Sequence, residues 1–125
     1  MGASYVALDL ETTGLDLESD EIIEVGAIRF GADGVLDSFQ TLVNPGRPIA
    51  PPVVELTGIT DEAVRSAPAI WAVAPALEEF LGESPLVGQN VLGFDTLFLR
   101  RAGVRYCESV YDTHGLAEML LPGLA

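Results

Sequence analysis

Three apolar, strand-forming runs stand within the first 43 residues: Tyr5 to Leu10, Ile22 to Phe30 and Val35 to Val43. The first gap, TTGLDLESD, is rich in turn formers, and the second, GADG, is a hairpin signal. Strands joined by such short connections pair antiparallel, because a parallel partner needs a long crossover. The three runs therefore predict an antiparallel meander. NPGRPIAPP then breaks regular structure, since proline cannot donate to a ladder.

The second half reads as helices alternating with short strands. Val53 to Leu56 predicts one short helical turn. Thr60 is placed to cap a helix over Asp61 to Ser66, whose first-turn acids suit the helix dipole. Pro68 suits a first helical position. Apolar residues at 70, 73, 74, 77, 80 and 81 have helical spacing. Pro75 interrupts that pattern at a cost of about 3 kcal/mol, which predicts a kink or a later start. Leu86 to Gly88 predicts a strand, Asp95 to Ala102 a helix, Ser109 to Asp112 a strand, and Thr113 to Leu121 a helix stopped by Pro122 and Gly123. The order β-β-β-α-β-α-β-α points to an α/β chain: one mixed sheet, a three-strand meander followed by αβ units, with helices on its faces.

With 125 residues, 49% of them hydrophobic, the chain can build the core of one domain. No apolar run approaches the ~20 residues of a membrane helix, so no membrane partner is expected. MGASYVALDLE has no basic n-region and is not expected to be a signal peptide. A single cysteine, Cys107, excludes an internal disulfide and fits a reducing cytoplasm. The net charge is −13, and all six basic residues are arginines. Non-specific nucleic-acid binding usually rests on a basic surface. Any such contact here must be local, carried by metal ions, or helped by another domain.

Acids stand at two conspicuous places. Asp9 and Glu11 close the first apolar run. On a strand they share a face, about 7 Å apart at Cα. Two bare carboxylates so placed repel, whereas a hard divalent cation such as Mg²⁺ or Mn²⁺ wants such oxygens. Two solvated acids at a strand end remain the plainer reading of that spacing alone. A calcium loop counted from Asp9 fits worse. Its twelfth position is Asp20 rather than a bidentate glutamate, and a strand rather than a helix precedes it. The third acid, Asp95, follows a predicted strand and opens a predicted helix, where an acid is also favoured by the dipole alone.

The ordered set of motifs is more specific than any one of them. Asp9-Leu-Glu11-Thr-Thr-Gly14-Leu15, then Leu56-Thr57-Gly58-Ile59-Thr, then Asn90 with Phe94-Asp95, then Tyr111-Asp112-Thr113, resembles the DnaQ-like DEDD exonucleases of the His-containing branch. That family includes the proofreading subunit of bacterial DNA polymerase III and the exonuclease domain of bacterial damage-inducible helicases. The resemblance covers residue 5 to about 122. It implies a ribonuclease H-like fold, in agreement with the element order. It also implies 3′→5′ removal of nucleoside monophosphates from DNA or RNA ends, with Mg²⁺ or Mn²⁺, two ions in the complete site. Asp9, Glu11 and Asp95 would be three of the family's four metal-binding carboxylates and its catalytic acids. Thr12, Gly14 and Leu15 would hold the 3′-terminal nucleotide. Thr57, Gly58 and Ile59 would line the terminal base pocket, and Asn90 would stand near the substrate. The implied partners are a single-stranded or frayed 3′ end and a fused helicase or polymerase module.

One motif departs from the family. The family's last motif pairs a histidine with an aspartate five residues later on a C-terminal helix. Here the one histidine is His114, and Met119 lies five beyond it. The expectation is an exonuclease-like domain over residues 1–125 that is C-terminally incomplete and lacks that helix, the base and the fourth carboxylate. The alternative is a ribonuclease H-like module that binds metal or nucleic-acid ends without cutting.

Overall fold

The computed structural model describes residues 3–88 and 94–112, apart from the side chain of residue 112. The meander forms as the sequence predicts, with β1 Tyr5–Thr12, β2 Ile22–Gly31 and β3 Gly34–Leu42. Ala32 and Asp33 make the two-residue turn between the paired Gly31 and Gly34. β4 Leu86–Gly88 then lies parallel to β1, and β5 Val110–Asp112 parallel to β4. The sheet order is β3-β2-β1-β4-β5, so β1 is the central strand. The fold is α/β, a mixed five-stranded sheet of ribonuclease H-like architecture.

Side-chain alternation divides β1 between two environments. Val6, Leu8 and Leu10 are buried in the main core, while Asp9 and Glu11 point the other way. Val25 and Ala27 of β2, Val73, Leu77 and Leu81 of α3 (Ile70–Leu81), and Phe98 and Leu99 of α4 (Thr96–Arg101) complete that core. A smaller cluster joins Ile23, Ile49, Ile59 and Val64 under α1 (Pro51–Thr57) and α2 (Asp61–Val64). Leu42 packs against this second cluster and Val43 lies in the first, so the clusters sit on opposite sheet faces. A bulge opposite the Glu11–Thr12 step sends Ile22 to the first cluster and Ile23 to the second.

The helices correct several expectations. Rather than one turn over Val53 to Leu56, α1 has seven residues and opens on Pro51 and Pro52. The missing N–H groups of these prolines fall where a helix has no internal partner for them, so they start the helix instead of blocking it. Thr60 caps α2 as expected, accepting from the Ala63 N–H at 3.1 Å, but α2 ends at Val64. Pro68 is not a first helical residue. Its carbonyl accepts from the Asn44 N–H at 2.8 Å, and α3 starts at Ile70 behind Ala69. Pro75 lies inside α3 without delaying its start. It sits on the exposed face with Trp71, whose carbonyl can bond water in place of the absent N–H. The expected helix over Thr113 to Leu121 lies outside the described residues. None of the described helices is long and apolar enough to cross a membrane.

Candidate active site

β1 carries the first two acids to its C-terminal end. Asp9 stands opposite Gly26 of β2 and is exposed. Glu11 stands opposite Glu24 and is half-buried. Burial raises the Glu11 carboxyl above its usual range, with the Asp9 and Glu24 carboxylates adding to the effect.

Asp95 immediately precedes α4 but does not behave as a capping residue. Its backbone is already helical, with φ −60° and ψ −43°, and its side chain makes no capping hydrogen bond. It is only 4% exposed. Burial, then the charges of Asp9 and Glu11, push its carboxyl up to about 7. The structure thus brings three sequence-predicted acids, from two distant segments, into one electrostatic neighbourhood at the mouth of β1. A group with that pKa is half protonated at neutral pH, and proton release makes it a hard anionic oxygen donor. Among the described residues no group of three or more acids, histidines or cysteines is arranged so that it could hold a metal ion as it stands. The donor chemistry nevertheless suits a hard divalent ion: three carboxylates, one of them raised to about 7 by burial and by the other two, with no soft ligand among them.

The residues assigned to substrate separate into several environments. Thr12 ends β1, and its hydroxyl donates to the Gly14 carbonyl at 2.6 Å. Leu15 is 86% exposed at the tip of the β1–β2 loop. A Cβ at Gly14 would lie 2.4 Å from Asp20 Oδ2, so the packing of the loop itself favours glycine there. Thr57 ends α1, donating to the Val53 carbonyl at 2.8 Å and accepting from the Ile59 N–H at 3.1 Å. Gly58 takes the left-handed conformation, φ 76°, that closes the helix, which explains a glycine there. Ile59 is buried in the second core cluster. Leu56, one turn away on the same motif, is 85% exposed. Because that cluster lies on the sheet face opposite the main core, the side to which Asp9 and Glu11 point, the α1 motif and these acids share a sheet face. Asn90, His114 and Met119 lie outside the described residues.

Sequence reading missed Glu24 and the bonds that fix the β1–β2 loop. Glu24 was detectable in principle, since a three-strand register places IIEV beside DLE. Arg101 pairs with Glu21 at 2.5 Å.

Comparisons with known proteins identify the family and the fold. The RNase_T family model, described as "Exonuclease", matches residues 6–120. The PolC-type DNA polymerase III of Bacillus cereus is 36% identical over 123 residues, which is 95% of this chain and 9% of that protein. A Mycobacterium tuberculosis protein whose name proposes a bifunctional exonuclease/endonuclease is 46% identical over 111 residues, 84% of this chain and 17% of that protein. This chain therefore spans only a small part of the curated relatives it matches. In the solved structures, the zinc-bound E. coli ExoI–ssDNA complex superposes with a TM-score of 0.78 at 22% identity, over 97% of this chain and 31% of that one. On the family match across nearly its whole length, together with relatives above 30% identity, the chain belongs to the RNase_T exonuclease family.

Proposed function

We propose that this chain is a divalent-metal-dependent 3′→5′ exonuclease domain that releases nucleoside monophosphates from single-stranded or frayed ends, acting within a longer cytoplasmic DNA-processing protein. The convergence of Asp9, Glu11 and Asp95 carries this reading, because three mutually repelling acids gathered at one strand end suit a cation better than they suit packing. The names of the relatives support a polymerase-linked context, and the E. coli complex supports a single-stranded substrate.

Asp9, Glu11 and Asp95 would hold Mg²⁺ or Mn²⁺. Such ions activate water and stabilise the leaving 3′-oxygen of an in-line displacement. Asp95, whose carboxyl is raised to about 7, would have to release its proton to solvent to serve as a ligand. Thr12 and the exposed Leu15, on the loop that leaves β1, would hold the terminal nucleotide. Leu56 and Thr57, at the end of α1, would take part from the second cluster's side of the sheet. The two exposed leucines offer apolar surface for a terminal base, and a cation held there would supply positive charge to a chain whose net charge is −13. The described residues contain no histidine to accept the proton of an attacking water.

The test is release of mononucleotides from a 3′-labelled strand by the full-length protein with Mn²⁺. Activity lost on chelation, and lost in Asp95→Ala, supports the reading. Activity that survives both would sink it.

A further inference from the structure

The β1–β2 loop is held by two arginines from distant parts of the chain, around Asp20. The Asp20 Oδ1 accepts from the Thr13 hydroxyl at 2.8 Å and from Arg47 Nη2 at 2.9 Å. Its Oδ2 accepts from the Asp16 N–H at 2.8 Å. Arg47 also donates to the Thr13 hydroxyl at 2.7 Å. Arg101 grips the loop's returning limb: Nη1 donates to the carbonyls of Leu17 and Asp20, and Nη2 to Glu21. The Arg101 guanidinium also lies 5.6 Å from the centre of the Phe98 ring, and Phe98 pairs with Phe94 at 4.9 Å. Phe94 is the residue before Asp95. One side-chain file therefore runs from the start of Asp95's helix to the loop that carries Leu15.

We propose that Arg101 is a positioning residue: it locks the substrate-holding loop to the helix of Asp95, so that the terminal nucleotide and the metal-binding acids keep a fixed relation. This inference rests on the exonuclease reading and deepens it. The chemistry suits arginine specifically. A planar fork with several fixed donors can serve two carbonyls, a carboxylate and a ring face together. Lysine's single ammonium cannot cover that set in one geometry. An arginine so engaged has little capacity left for phosphate, so its contribution to substrate passes through the loop.

The experiment compares the full-length wild-type protein with Arg101→Ala, Arg101→Lys, Leu15→Ala and the Arg101→Ala/Leu15→Ala double variant. The substrate is a 3′-labelled single-stranded oligonucleotide with Mn²⁺. Arg101→Ala and Arg101→Lys are both expected to raise KM about tenfold. The double variant should be little worse than Leu15→Ala alone, because both changes remove one interaction. Mn²⁺ affinity should stay within about twofold, since the acids are untouched. Additive effects would overturn the proposal, as would full function in Arg101→Lys or a change confined to melting temperature. A fall of about one in the salt slope of binding would also overturn it, by revealing a direct phosphate contact. An inactive wild-type protein would instead sink the exonuclease reading itself.

Discussion

Glu11 and Glu24 face each other directly across the β1–β2 ladder, two like charges in one cross-strand pair. The Gln40 amide donates to Glu24 Oε2 at 3.2 Å, but among the described residues nothing comparable relieves Glu11, whose carboxyl is raised by burial, by Asp9 and by Glu24. Opposed like charges destabilise a sheet. Glu24→Gln should therefore stabilise the apo protein by about 0.5 kcal/mol and lower the Glu11 pKa. Thermal melting and carboxyl NMR titration check both. A less stable variant would mean that Glu24 does something beyond repelling Glu11.

Asp95 sets a second expectation. Its folded-state pKa is about 7 and its ordinary value 3.8, so the folded protein holds a proton that the unfolded chain releases. Stability from this group is complete below about pH 4 and is lost as pH rises through about 7. Glu11 acts in the same direction. Without metal, the protein should melt at a higher temperature near pH 5 than near pH 8. Asp95→Asn should remove most of that difference and raise the melting temperature near pH 8. A slope that persists in Asp95→Asn would place its source elsewhere. Added Mn²⁺ should stabilise most at the alkaline end, where Asp95 is already ionised.

Gly14→Ala would drive a methyl group into the Asp20 carboxylate. Displacing Asp20 breaks its bonds to Thr13, Asp16 and Arg47 together. The expected cost is about 1–3 kcal/mol, read by urea denaturation. Combined with Asp20→Ala, the loss should be clearly less than the sum, because the clash and the network share one residue. Additivity would show that Gly14 is needed for another reason.

Pro75 offers an opposite sign. Pro75→Ala restores an N–H aimed at the exposed Trp71 carbonyl and should stabilise α3 by about 1 kcal/mol or more. A neutral or destabilising result would mean that the helix is shaped around the proline.

The parts of this architecture legible in the sequence were those governed by local pattern. Alternation in YVALDLET gave both the strand and the shared face of Asp9 and Glu11, because strand period is a local property. The Thr60 cap was legible for the same reason. The prolines misled because their effect depends on position: Pro51 and Pro52 begin a helix that their number seemed to forbid. The fate of Arg101 was illegible because its partners lie about eighty residues away, on a loop with no periodicity. Ile59 looked like part of a binding motif, yet packing decides where its side chain goes. The placement of Asp95 beside β1 was inferred through family resemblance, since no local rule joins residue 95 to residues 9 and 11.

The central claim is that Asp9, Glu11 and Asp95 form one divalent-metal centre. Calorimetric Mn²⁺ titration of the full-length protein and its Asp9→Asn, Glu11→Gln and Asp95→Asn variants tests it most directly. Each substitution should weaken the same binding event by at least about tenfold, and binding by the wild-type protein should release protons near pH 7 as Asp95 ionises. Unchanged Mn²⁺ affinity in Asp95→Asn, with the protein folded, would contradict the account.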